Sequence, residues 1–215
     1  SNGHPLTTNR AARTLPAILE AWFPGPYGGK TIAQTLFGDY NPGGRLSITF
    51  PKSVGQIEFN FPYKPASQDG QYFEGPNGSG RTRVNGALYP FGYGLSYTSF
   101  KYSNLRINQT THYTKSPVTV LVDVANTGKR AGDEVVQLYL KDVVASVIPY
   151  NSVLRGFERV SLEPGETKTI GFDLQPEDLE ILDRHMEWTV EPGTFEVWVG
   201  ASSEDIRLKG SFTVE

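Results

Sequence analysis

The sequence predicts an α+β chain in two parts: a partial α/β unit of parallel-sheet type, then an all-β two-sheet sandwich. Three observations predict it. The first 50 residues read as strand, loop, helix, turn and strand. Residues 51–96 are dominated by proline, glycine, asparagine and aromatics with no sustained period. From Ser99 onward, short alternating runs are separated by turn signals.

The elements follow in order. SNGHPL reads as a turn with no structure before it. PAILEAWF, residues 16–23, is short and apolar and suits a buried strand. KTIAQTLFGD has helical spacing, with Ile32, Ala33 and Leu36 on one face, Phe37 beside it and Gly38 where a helix would stop. NPGG is a turn, and RLSITF alternates as a strand does. One such unit of residues 1–50 is not a domain, because its strands are buried on both faces only within a larger sheet. It reads as the tail end of an α/β domain.

Residues 51–96 read as a wrapping linker pinned by Phe59, Phe61, Tyr63, Tyr72 and Phe73, with GPNGSG as a plain turn. In residues 97–215 the candidate strands are FKYSNLRI, PVTVLVDVAN, DEVVQLYLKD, SVLRGFERVSL, ETKTIGFDL, MEWTVE, GTFEVWVGAS and LKGSFTV. NTGKRAG, EPGE and EPGT separate them, which predicts a sandwich of fibronectin III or immunoglobulin type. PEDLEIL is predicted to make a short helical turn, with Pro176 in its first turn and Glu177 and Asp178 favouring its N-terminus.

Composition narrows the function. Net charge is −3 with both signs interspersed, so no basic stripe marks a nucleic-acid binder. Cysteine is absent, which removes disulfides, thiolate catalysis and cysteine zinc sites. No segment is long and apolar enough to span a bilayer, and no signal peptide opens the chain.

The chemical candidates mostly dissolve on inspection. FPGPYGGKT, residues 23–31, looks like a phosphate loop. The motif G-x-x-x-x-G-K-S/T would place its first glycine at position 24, which is Pro24, and two prolines remove N–H donors. A tight turn into a helix is the better reading. His4, His112 and His185 are scattered without metal spacing, so no metal or cofactor is expected. Acidic pairs stand at Asp133-Glu134, Glu177-Asp178 and Glu204-Asp205. A glycosidase needs two carboxylates facing each other across a cleft, whereas adjacent strand residues point to opposite faces. Solvated charge is the expectation for all three pairs. No G-x-S-x-G elbow is present, and Asn77-Gly-Ser and Asn108-Gln-Thr match the short glycosylation sequon.

Two aromatics remain as substrate-lip candidates. Trp22 and Tyr27 flank the loop after the predicted strand, where ligands of open α/β sheets bind. The competing role, packing against the rest of the domain, is the one large aromatics favour. Trp188 and Trp198 lie in predicted strands, where core packing is expected.

Taken together, PAILEAWFPG, GGKTIAQTLFGDYNPGGRLSITFPKS, YPFGYGLSYTSF, NTGKRAGDEVVQLYLKD, LRGFERVSLEPGETKTIGFDL and WTVEPGTFEVWVGASS resemble the C-terminal part of glycoside hydrolase family 3, the β-glucosidase and β-xylosidase family. They cover nearly the whole chain in the family's order, and NGHPLTTN looks like the turn after a strand of the second domain. The resemblance implies a barrel domain, an α/β sandwich domain and a fibronectin III-like domain in the parent. It also implies retaining hydrolysis by an aspartate of the barrel and a glutamate of the second domain. Both carboxylates are expected upstream of this chain, so no catalytic residue is assigned here and the chain alone is expected to be inactive. The implied partners are the N-terminal remainder of the same glycosidase and, through it, an oligo- or disaccharide, in a periplasmic or secreted setting. The alternative is a stand-alone carbohydrate-binding or protein-interaction sandwich of residues 97–215, in which the α/β unit at residues 4–50 has no place.

Overall fold

In a computed structural model, residues 3–56, 60–65, 86–108, 111–112 and 117–215 are described. The predicted turn GPNGSG, and Phe59, Tyr72 and Phe73, lie outside the described residues.

The sandwich is built as its alternation dictates. β3 (Phe100–Ile107), β5 (Val118–Asn126) and β8 (Thr167–Leu174) form a three-stranded sheet in the order β3-β5-β8. β4 (Thr111–His112), β6 (Gly132–Asp142), β7 (Val153–Leu162), β11 (Gly193–Gly200) and β12 (Ile206–Val214) form a five-stranded sheet in the order β4-β12-β11-β6-β7. Successive side chains of a strand face opposite ways, and β5 shows the consequence. Val118, Val120, Val122 and Val124 are fully buried, while the residues between them are only partly so. They meet Val136, Leu138, Leu140, Phe195, Val197 and Val199 of the facing sheet in one hydrophobic core. The rings of Phe195 and Phe212 stack within it at 5.5 Å.

The connection after β8 is the predicted short helical turn, a 3-10 turn at Pro176–Asp178. Asp178 reaches back to accept the Gln175 backbone N–H at 2.8 Å, completing a capping box. A two-stranded ribbon pairs β9 (Ile181–Leu182) with β10 (Trp188–Thr189).

The first half departs from prediction in its strands. Helix α2 (Gly28–Phe37) forms, and Gly38 closes it with φ +84°. A short helix α1 (Asn9–Thr14), which the sequence pattern did not suggest, precedes it and buries none of its residues. The predicted strand at residues 16–23 is not a strand. A buried parallel strand takes hydrogen bonds from neighbours on both edges, and no described strand lies beside this segment. RLSITF is likewise reduced to β1 (Phe50–Pro51), paired with β2 (Ala87–Tyr89). Leu46 still exchanges backbone hydrogen bonds with the segment after β2, to Tyr93 O at 2.9 Å and from Gly92 N at 2.7 Å.

Residues 60–65 and 86–98 join the halves through aromatic rings. Phe61 stacks on Phe91 at 4.9 Å and stands edge-on to Tyr139 of β6 at 5.4 Å. Gly92 makes the turn possible: its φ is +81°, and a Cβ there would lie 2.0 Å from Gln137 Oε1. Gln137 in return donates to Gly92 O at 3.1 Å and to Ala201 O at 2.7 Å.

Candidate functional site

The loop carrying both lip candidates is a closed turn. Gly25 takes φ +68°, and the Gly28 N–H donates to Gly25 O at 3.1 Å. Pro24 and Pro26 bring no N–H to this turn, in line with the failed motif. Trp22 and Tyr27 have different surroundings. Trp22 is half-buried at φ +46°, a conformation a bulky residue adopts only under constraint. Its N–H donates to Glu20 Oε1 at 3.0 Å, and its ring lies 6.0 Å from the buried Phe50. From Phe50 the rings continue to Tyr89 at 6.2 Å and to Tyr93 at 5.2 Å. Tyr27 begins α2 and is 78% exposed.

The helix presents the face opposite to the buried one. Thr35 is buried, and its carbonyl accepts the Tyr97 hydroxyl at 2.8 Å. Leu36, on the predicted apolar face, and Phe37 beside it are 63% and 85% exposed. Leu6, Leu15, Ile18, Leu19, Phe23, Tyr40 and Val54 are exposed too. This concentration of bare large side chains within about 50 residues of sequence exceeds the scattered apolar exposure of ordinary surfaces.

Behind this face, polar bonds clasp the first half to the sandwich. Asn41 Oδ1 accepts from Ser96 Oγ at 3.1 Å and from the Tyr97 N–H at 2.8 Å, and its amide donates to Ala131 O at 2.9 Å. Arg159 donates to Asp133 through Nε at 2.8 Å and to the Tyr40 hydroxyl at 3.2 Å. Arg45 reaches from the NPGG turn to Glu134 at 3.1 Å, with side chains 7% and 4% exposed. The expectation of solvated charge is therefore wrong for Glu134. The opposite-face rule itself holds: Asp133 points outward to Arg159 and Ser161, and Glu134 points inward in phase with Val136, Leu138 and Leu140. That phase was the available signal for a buried, partnered glutamate. Tyr102 stands beside Glu134, and burial first, then the nearby carboxylate, raises its pKa far above the usual tyrosine value.

Asp133 gives the clasp a pH dependence. The Ser161 hydroxyl first, then the Arg159 guanidinium, hold its pKa below 3.8 against the opposing effect of burial. A carboxyl whose folded-state pKa is depressed stabilises fully above its unfolded value, and that contribution is lost as pH falls through the folded value. Asp133→Asn is thus expected to lose stability at neutral pH and to show a shallower loss than wild type below about pH 4. Thermal unfolding followed from about pH 2 to about pH 7 reads this in one series, and identical pH slopes for both proteins would refute it.

The remaining predicted residues take ordinary roles. Trp188 is 67% exposed rather than core. Trp198 alternates with the buried Val197 and Val199 and so lies on the outer face, with Lys209 over its ring at 4.2 Å. His4 and His185 are exposed. Among the described residues, no group of three or more histidine, aspartate or glutamate side chains is placed to hold a metal.

An α-helical and loop segment with a bare apolar face, clasped to a fibronectin III-type sandwich, defines the class of this chain. Residues 1–97 match the glycosyl hydrolase family 3 C-terminal domain, and residues 134–203 match the fibronectin type III-like domain. A β-xylosidase of Formosa agariphila is 45% identical over 211 residues, covering 97% of this chain and 28% of that protein. A periplasmic β-glucosidase of Salmonella typhimurium is 43% identical over 221 residues, covering 98% of this chain and 28% of that protein. The solved β-glucosidase of Erythrobacter marinus superposes with a TM-score of 0.89 at 38% identity, covering 100% of this chain and 27% of that one. The chain belongs to the C-terminal region of glycoside hydrolase family 3 and spans less than a third of the length of these relatives. No helix among the described residues is long and apolar enough to cross a membrane.

Proposed function

We propose that the chain is the C-terminal, non-catalytic portion of a retaining β-glycosidase, of β-glucosidase type, that hydrolyses terminal β-linked sugars. It completes the second domain with residues 1–50, wraps it with residues 51–96 and buttresses the cleft with the sandwich of residues 97–215. Its partner is the remaining N-terminal part of the same glycosidase, which supplies both catalytic carboxylates. The observation that carries this reading is the bare apolar face around Leu36 and Phe37, which a stand-alone carbohydrate-binding or interaction sandwich would not carry. Tyr27 is open enough to meet a sugar at the cleft's lip, while Trp22 acts there mainly by holding the loop on Phe50. Likeness to the periplasmic Salmonella enzyme supports a periplasmic or secreted location.

The test is hydrolysis of chromogenic β-glucoside and β-xyloside by the chain alone and by the chain co-expressed with the upstream part of its parent. Turnover is expected only in the second case. Leu36→Asp with Phe37→Asp should weaken capture of the upstream part by about 100-fold or more, since burying each side chain contributes roughly 1.5–3 kcal/mol. Turnover by the homogeneous chain alone would overturn the proposal.

A further inference from the structure

Phe157 lies on β7, at the edge of the five-stranded sheet, and is 66% exposed. It pairs in register with Gln137 of β6, so both side chains stand on the outer face of that sheet. The joining segments cover this face at β6. Gln137 donates to Gly92 O at 3.1 Å, and the Phe61 ring stands against Tyr139 at 5.4 Å. Phe157, one strand further out, is left bare.

A single exposed phenylalanine is ordinary. The neighbours of this one give it a role. Two residues further along β7, on the same face and roughly 7 Å away, Arg159 donates to the Tyr40 hydroxyl at 3.2 Å. Tyr40 follows α2 closely, and both it and Phe37 at the helix end are exposed. The bare face of the first half therefore does not stop at the joint. It runs from Phe37 through Tyr40 and Arg159 onto the sandwich edge at Phe157. Aromatic rings and arginine are the residue types that interfaces collect. Arg159 is also held in place by Asp133, to which its Nε donates at 2.8 Å, so it loses less freedom when a partner covers it.

Continuity selects the occupant. This chain covers 28% of the β-xylosidase and 28% of the periplasmic β-glucosidase, so the body that meets the first half is much larger than the chain. Seated on Phe37 and Tyr40, such a body is separated from Phe157 only by Arg159. We propose that the upstream part of the same glycosidase docks directly on the sandwich, on a surface formed by Tyr40, Arg159 and Phe157, as well as on the first half. This rests on the reading of the chain as the C-terminal portion of a β-glycosidase. It adds that the sandwich is held from two sides, by the joint and by the upstream part, instead of being tethered through the joint alone.

The complex of the full chain with the upstream part, obtained by co-expression, tests this through its dissociation on dilution, followed by mass photometry. Phe157→Asp should weaken the complex about tenfold or more while leaving the Tm of the chain alone unchanged. Trp188→Asp is the control. Trp188 is as exposed as Phe157 but lies on the ribbon leading into β11, whose start faces the end of β6, whereas Asn41 binds Ala131 just before β6 begins. Its complex should dissociate as wild type does. If Phe157→Asp lowers the Tm of the chain, hydrogen exchange of the wild type decides instead: amides of residues 153–159 should exchange more slowly in the complex than in the chain alone. Absence of any wild-type complex would overturn this surface together with the reading it rests on. A complex weakened by Leu36→Asp with Phe37→Asp but untouched by Phe157→Asp would overturn this surface alone. So would equal weakening by Trp188→Asp, or unchanged exchange along β7.

Discussion

Glu134→Ala is expected to destabilise the folded chain by about 3–5 kcal/mol, because it leaves the Arg45 guanidinium buried without its counter-charge. The two side chains are 7% and 4% exposed, and Glu134 Oε1 also accepts the Val135 N–H at 3.1 Å. Among the described residues, Arg45 has only long contacts to fall back on, at 3.4 Å to Gly43 O and 3.3 Å to Gly44 O. A neighbouring cavity lets water reach the orphaned cation, which points to the lower end of that range. Removing both charges together, as Arg45→Met with Glu134→Leu, is expected to restore most of the loss, since a buried pair often contributes little net stability over an apolar replacement. Urea denaturation of Arg45→Met, Glu134→Leu and the double variant gives the coupling energy directly. The first half should also melt ahead of the sandwich in Glu134→Ala, because Arg45 is one of its main ties to β6. A cost below about 1 kcal/mol would place the pair among weak surface bridges instead.

Phe195→Ala is expected to cost about 3–5 kcal/mol, the range for deleting a buried aromatic ring. Phe195 is 1% exposed and stacks on Phe212, itself 2% exposed, at 5.5 Å. The variant loses the ring contact as well as the buried area, a further contribution of about 0.5–1.5 kcal/mol for such pairs. For a chain of this size that corresponds to a fall of roughly 10 °C or more in Tm. Phe157→Ala is the matched control: its ring is 66% exposed on the edge strand β7, and its effect should stay within about 0.5 kcal/mol. Differential scanning calorimetry of both variants separates these cases, and equal shifts would mean that the core is not organised around the Phe195–Phe212 stack.

The sandwich was legible in the sequence because its signals are local. Alternation in VTVLVDV marks which face of β5 is buried, and glycine or proline turns bracket most of its strands. The helix at Gly28–Phe37 and its glycine cap were equally plain. PAILEAWF was misread for the opposite reason: its apolar run carries strand character only if neighbouring strands bond both of its edges, and the described chain provides none. Exposed Leu36 and Phe37 show the same dependence, since the helix pattern identifies an apolar face without saying what covers it.

The candidate site divides in the same way. Trp22 and Tyr27 were identified by their place after a predicted strand, yet only packing separates the half-buried ring on Phe50 from the open one at the helix start. Glu134 was passed over because a charged residue is solvated by default, and its partner lies 89 positions earlier. What the sequence by itself determined was the sandwich, its inward faces, the helix with its glycine stop and the family resemblance. Each of these is written in spacings of a few residues. Only the tertiary structure decided the Arg45–Glu134 clasp, the cavity beside it and the bare face of the first half. These depend on groups far apart in the chain meeting in space, which no local period encodes.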